Sequence, residues 1–217
     1  MNKISKFLIF SLAFVSQVIY SQSNFEYGIK FGISSSNFKL SDIKQTVFYN
    51  PKDYYKGNSI NPTLGIFLNY IVSDLIILES ELSYLQKGNR FTEETTVSTV
   101  ENPDGLYKSE HTISFDVRYL ELALNIKPRY NFGKFPTFLI LGTSLNYTLN
   151  AVNLLHRRVQ DVVLSYRVGF GTELKNIISL PILIEIKYIE DLSNFYEYDY
   201  GKLKNRTILF NIGIKLK

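Results

Sequence analysis

The sequence predicts an all-β fold: a transmembrane, antiparallel, up-and-down β-barrel of eight strands. Three observations predict it. Apolar and polar residues alternate with period two in eight separate segments. The connections between those segments alternate between short turns and long polar stretches. Beyond the N-terminal segment no uninterrupted apolar run reaches spanning-helix length, so a membrane-embedded chain of this kind closes into a barrel.

The first element is a leader. Lys3 and Lys6 precede an apolar run from Phe7 to Val15, and a Ser-rich stretch follows. This is the order of a secretory signal peptide, assigned to residues 1–21 with cleavage near Ser21/Gln22, which leaves a barrel domain at 22–217. The competing reading, an uncleaved anchor, fits less well because the run is shorter than the ~20 residues a spanning helix needs.

The eight strands follow in order. The first, Phe25 to Phe38, sets Tyr27, Ile29, Phe31 and Ile33 against Glu26, Gly28, Lys30, Gly32 and Ser34. The second, Ile60 to Ile71, sets Leu64, Ile66, Leu68 and Tyr70 against Thr63, Gly65, Phe67 and Asn69. In the third, Leu75 to Lys87, Ile76, Leu78, Leu82 and Tyr84 oppose Glu79, Glu81 and Ser83. In the fourth, Thr112 to Tyr130, Leu120, Leu122, Leu124 and Ile126 oppose Tyr119, Glu121, Ala123, Asn125 and Lys127. The fifth, Thr137 to Asn150, carries Leu139, Leu141, Leu145, Tyr147 and Leu149 on one face and Gly142, Ser144 and Asn146 on the other. The sixth, Val162 to Leu174, opposes Leu164, Tyr166, Val168 and Phe170 to Ser165, Arg167, Gly169, Gly171 and Glu173. The seventh, Leu180 to Glu190, opposes Ile182, Ile184, Ile186 and Tyr188 to Glu185 and Lys187. The eighth, Arg206 to Leu216, opposes Ile208, Phe210, Ile212 and Ile214 to Thr207, Asn211, Gly213 and Lys215.

Short turns are expected at Val72 to Asp74, Asn131 to Pro136 and Lys175 to Ser179. Polar loops are expected at Lys39 to Ser59, Gly88 to His111, Ala151 to Asp161 and Asp191 to Asn205. An even strand number with this alternation puts both strand termini on the short-turn, periplasmic side.

Alternation alone does not say which face points outward; a soluble barrel that binds an apolar ligand has its apolar face inside. Three features favour the membrane reading. The polar face is rich in glycine, which a narrow eight-stranded interior requires beside larger residues. Its charges come close to balance, with Glu26, Glu79, Glu81, Glu121, Glu173 and Glu185 against Lys30, Lys127, Arg167, Lys187 and Lys215. Tyrosines cap the apolar face at both ends, as interfacial girdles do. Glu79, Glu81, Glu121, Arg167, Glu185 and Lys187 are therefore expected to form hydrogen-bonded clusters that fill the lumen. Eight strands leave room for side chains but not for a sizeable pore, which ranks a small passive channel second.

Composition narrows the function. The formal charge of +4 is dispersed, which argues against nucleic acid as a partner. With no cysteine and two histidines, disulfides, thiolate metal sites and a lipoprotein anchor are excluded, and no metal or cofactor is expected. His111 with Ser114 and Asp116, and His156 with Asp161, are the only groupings with catalytic residue types. Neither has a diagnostic spacing, and the reading is non-enzymatic. Contact residues are sought in the loops: Phe48, Tyr49, Tyr54 and Tyr55 in the first, Phe195 to Gly201 in the last, and His156-Arg157-Arg158, whose arginines suit lipopolysaccharide phosphates. The "FYEYDYG" stretch reads either as a binding loop or, more simply, as an outward hairpin extension.

Several segments resemble a known family. "YGIKFGISSSNF" (Tyr27 to Phe38), "RYLELALNIKPRYNFG" (Arg118 to Gly133), "EIKYIEDLSN" (Glu185 to Asn194) and "FNIGIKLK" (Phe210 to Lys217) resemble the outer-membrane β-barrel family common in Bacteroidetes, which includes PorT-like proteins. The resemblance implies an outer-membrane location, no shared catalytic residues, and a structural, partner-binding or secretion-associated role. The expected surroundings are outer-membrane lipid and lipopolysaccharide, with a protein partner at the loops and a monomeric barrel.

Overall fold

The computed structural model describes residues 24–41, 58–99, 102–132, 135–152, 159–174, 181–198 and 201–216, with side chains except at 40–41, 91–113, 131–132, 198 and 201. The expected leader, 1–21, lies outside the described residues. So do most of the first loop with its four aromatics, the Lys175 to Ser179 turn, and His156 to Arg158.

Nine strands follow one another with no helix among the described residues: β1 (Phe25–Ser41), β2 (Ser59–Ser73), β3 (Ile76–Thr99), β4 (Asn102–Phe132), β5 (Phe135–Val152), β6 (Val162–Leu174), β7 (Ile182–Asp191), β8 (Tyr196–Tyr198) and β9 (Gly201–Lys215). Eight of them form the wall in the order β1-β2-β3-β4-β5-β6-β7-β9, every neighbour antiparallel. The wall closes through β9 and β1, paired from Gly28↔Lys215 to Ser41↔Lys202. Closure satisfies the backbone of each wall strand and leaves no edge in lipid.

The facing is that of a membrane barrel. Leu64 and Leu124 on the outside are each 62 % exposed, while Glu121, Glu185 and Lys187 inside are fully buried. A soluble barrel would bury its leucines and hydrate its charges, so the soluble ligand-binding reading fails on this inversion. At the short-turn end Tyr27, Tyr70 and Tyr130 are exposed on the outer face; at the other end Tyr84 and Tyr147 are. Glycine is needed where rings fill the narrow lumen. A Cβ on Gly28 would stand 2.7 Å from the Phe67 ring, and one on Gly171 2.7 Å from the Phe138 ring.

Two expected loops differ. The Gly88 to His111 stretch is a hairpin, paired from Gly88↔Asp116 to Thr99↔Asn102 as a continuation of β3 and β4. Its β-branched run at Thr95 to Val97 favours strand. Beyond the membrane band both faces of a ribbon can be polar, so the backbone pairing continues where the alternation stops. The second difference is the Asp191 to Asn205 stretch. It does form a hairpin, with Tyr196↔Leu203 to Tyr198↔Gly201 joining β8 to β9. Yet it does not simply extend outward: Phe195 is fully buried and Tyr196 nearly so. They sit among Phe38, Val117, Tyr119, Ala151, Val163 and Leu203, an apolar cluster at the hairpin end of the barrel. The chain is held there by Gln160 N–H donating to Phe195 O and by the bridge between Val159 and Tyr196.

Candidate functional site in the barrel interior

Inward positions on five strands bring the charged side chains together. Lys30 of β1 is the hub: its Nζ lies 2.7 Å from Glu79, 2.9 Å from Glu81 and 3.0 Å from Glu185. Lys127 of β4 joins Glu79 and Glu185, the latter at 2.6 Å. Lys187 of β7 bridges Glu81 at 2.8 Å and Glu185 at 3.0 Å. Arg167 of β6 bridges Glu81 at 3.2 Å and Glu121 at 3.4 Å. Ser83 donates to Glu121 and Asn125 to Glu79. Four cations thus face four carboxylates, all buried. Every charge has at least one opposite partner, the condition under which enclosed charge is tolerated. Phe67 lies under Lys30 and Phe138 under Lys127, with Nζ 4.8 and 4.7 Å from the ring centres, adding cation–π attraction.

The six residues singled out in the sequence, Glu79, Glu81, Glu121, Arg167, Glu185 and Lys187, all lie in this cluster. Lys30 and Lys127 belong to it equally, and their alternation with Gly28 and Asn125 already marked them as inward. The three carboxylates Glu79, Glu81 and Glu185 have oxygens within 4.8 Å of one another, a spacing that suits a metal ion. The positive charge between them is the Lys30 ammonium.

Two smaller stations flank the cluster. At the short-turn end Lys215 pairs with Glu26 at 2.6 Å and with Glu173 at 2.9 Å. At the hairpin end Lys87 pairs with Asp191 at 3.0 Å, and Asp191 also accepts from Ser165 Oγ, Asn205 N and Asn205 Nδ2. Sequence reasoning left out this second pair, because Asp191 was counted as the start of a solvated loop. Between the stations the described interior holds a cavity of about 10 Å³ lined by Lys30, Thr63, Glu81, Ser83 and Asn211, room for a single water.

The catalytic residue types are not gathered into a site among the described residues. Asp116 accepts a hydrogen bond from Ser59 Oγ at 3.0 Å, Ser114 is half-buried, and Asp161 is exposed. The backbone of His111 sits opposite Glu93 on the β3–β4 ribbon. Its side chain lies outside the described set, as does all of His156.

A closed wall with leucine outside and paired charge inside is an integral membrane β-barrel. More narrowly, the chain belongs to the outer membrane protein β-barrel domain family, whose model matches residues 7–215, and its place is the cell outer membrane. Its fold is similar to that of Ail, the attachment invasion locus protein of Yersinia pestis, solved in complex with the heparin analogue sucrose octasulfate. That match has 13 % identity, covers 89 % of this chain and 100 % of Ail, and has a TM-score of 0.40. Neisserial surface protein A is 11 % identical over 88 % of this chain and 97 % of its own, with a TM-score of 0.47. Outer membrane protein W of E. coli is 15 % identical over 87 % and 97 %, with a TM-score of 0.38. No curated protein sequence matches the chain.

Proposed function

We propose that this outer-membrane protein is a non-enzymatic, non-conducting barrel that serves as a rigid anchor and presents its long hairpins to a partner. The observation that carries this reading is a lumen filled by buried side chains. The charge cluster, the Lys87–Asp191 station and the apolar cap around Phe195 lie one after another along the interior. An ion passing through would have to break several buried pairs and then cross an apolar layer, each step unfavourable in a low-dielectric interior. The protruding β3–β4 ribbon, about 40 Å of paired strand beyond Gly88 at ~3.3 Å per residue, suits contact with another molecule better than passage of a solute.

In this reading residues 1–21 are a leader, the short turns face the periplasm and the hairpins face outward. The resemblance of Arg118 to Gly133 to PorT-like proteins supports a secretion assembly as one class of partner. The test is electrical. Purified barrel inserted into a planar bilayer is expected to show no steady current under an applied voltage. A stable single-channel current from the unaltered protein would overturn the blocked lumen and make the barrel a small channel.

A further inference from the structure

One sector of the outer surface differs from the rest of the apolar band. On β9 the outward column reads Ile214, Ile212, Phe210, Ile208 and then Arg206, Lys204 and Lys202. On β1 the column of Ile29, Phe31 and Ile33 ends in Lys39; on β7 that of Ile182, Ile184 and Ile186 ends in Tyr188 and Glu190. The register places Lys39 opposite Lys204, and Arg206 opposite both Asn37 and Glu190. The apolar columns of three adjacent strands therefore give way to polar and charged residues at about one level, with cations on β9 and β1 and Glu190 on β7, beside the tyrosines of the hairpin end.

Glu190 organises this patch. Its carboxylate accepts from Tyr188 OH at 2.7 Å, Tyr166 OH at 2.8 Å, Lys39 Nζ at 3.2 Å and Arg206 Nε at 3.4 Å. The side chains of Lys39 and Arg206 remain 43 % and 42 % exposed, against 15 % for Glu190. Lys204 Nζ donates to Leu192 O at 2.6 Å beside them. The patch thus carries three cations and one carboxylate, which leaves it positive, and the carboxylate fixes where two of the cations, Lys39 and Arg206, stand. Lys202 beyond them pairs with Glu197 at 3.7 Å.

We propose that Lys39, Lys204 and Arg206 bind the phosphate headgroup of a lipid in the leaflet on the hairpin side, with its acyl chains lying along Ile208, Phe210 and Ile33. Arginine and lysine donors suit phosphate oxygens, and a held guanidinium loses less freedom on binding than a free one. The occupant is a lipid and not a free anion because the donors are exposed and solvent-screened. Such donors hold a free anion weakly. A headgroup tethered in the bilayer beside them arrives at high effective concentration, and its chains add apolar contact. The inference rests on the membrane placement of the barrel and not on the blocked lumen; a conducting barrel would leave it intact.

The experiment uses the intact barrel in detergent, with native mass spectrometry reading retained lipid. The probes are dioleoylphosphatidic acid, dioleoylglycerol, which lacks the phosphate, and inorganic phosphate. One phosphatidic acid is expected to be retained and dioleoylglycerol lost. Lys39→Gln with Arg206→Gln should weaken retention at least tenfold. Arg118→Gln, which removes an exposed cation on β4 across the barrel, should leave it unchanged. If the double variant does not fold, Lys204→Gln, which touches no part of the Glu190 network, should weaken retention about threefold. Inorganic phosphate in hundredfold excess should not displace the lipid. Equal retention of both lipids, an equal loss in Arg118→Gln, retention unchanged in the Lys39/Arg206 variant or in Lys204→Gln, or displacement by inorganic phosphate would each overturn the proposal.

Discussion

The middle of the barrel and its hairpin end are closed by opposite means. In the middle, eight charges carried on five strands neutralise one another around Lys30. At the hairpin end the closure is apolar, and its central ring, Phe195, comes from the connection between β7 and β8. Phe38 meets it from β1 with ring centres 4.8 Å apart. The difference shows that a lumen can be filled by wall residues where the wall is continuous, while a mouth is more simply closed by folding a connection back over it. It also sets the energetic order. Damage to the middle strands buried charge with no route to water; damage to the mouth lets water in, which solvates what was uncovered.

Lys30→Met should have the largest effect. Methionine is close to lysine in size, so the change removes the hub charge without opening a large cavity. It leaves Glu79, Glu81 and Glu185 within 4.8 Å of one another with one cation fewer between them. Removing one partner of a buried ionic network costs about 3–5 kcal/mol, so the variant should unfold at clearly lower temperature in detergent, read by the gel shift between folded and heat-denatured barrel. Unfolding at the temperature of the unaltered protein would show that the cluster is not electrostatically coupled.

The outer face of the same middle region comes next. Leu122 faces outward on β4 and its neighbour Ala123 is fully buried inside. Leu122→Arg sets a charge in lipid at a cost of about 2–4 kcal/mol near the midplane, and should assemble poorly into vesicles. Ala123→Ser adds one hydroxyl to a polar lumen and should assemble close to normally. The opposite ranking would mean that the two faces have been assigned the wrong way round.

The contrast between the regions is also a contrast in what the sequence discloses. Inward and outward residues of the wall could be read from alternation because each strand separates two unlike surroundings, lipid and lumen. The inward order Glu79, Glu81, Ser83 on β3 and the outward order Leu120, Leu122, Leu124 on β4 follow from that separation alone. Along Gly88 to His111 the period-two signal disappears although the backbone stays paired. The cap was hidden for another reason. Phe195 opens a stretch in which acids and tyrosines alternate and no apolar run marks a core, and its burial depends on Val117 and Val163, which are distant in sequence. The Lys87–Asp191 pair joins strands 104 residues apart at the edge of the alternating segments, so neither partner carried a local mark.

Opening the mouth should have a moderate effect on stability and a large one on access. Phe195→Ala removes the central ring of the cap. In a sealed core such a change costs about 3–5 kcal/mol; here it should cost less, because water can enter the space. Access can be read directly, since the chain has no cysteine of its own. Val163→Cys places a thiol in the buried cap. Its labelling by a charged maleimide should be slow in the otherwise unaltered barrel and at least tenfold faster alongside Phe195→Ala. Equal rates in the two backgrounds would show that Phe195 does not close the mouth.

The smallest effect is expected from the most conspicuous feature, the β3–β4 ribbon. Its outer part pairs β3 only with β4, from Phe91↔Ile113 to the tip, while the barrel wall below is closed by pairings around its whole circumference. Replacing residues 92–112 with Asn-Gly keeps Phe91 opposite Ile113 and supplies a two-residue turn whose twist matches the strands. No member of the charge cluster or of the cap is touched. The shortened barrel should therefore fold with its heat resistance within about 1 kcal/mol of the original, in the range of changes remote from any core feature. Loss of partner capture from native membranes, with that stability retained, would place the binding surface on the ribbon. A drop of several kcal/mol would instead make the ribbon part of what holds the mouth closed, and would erase the distinction between a self-sufficient wall and the connections built on it.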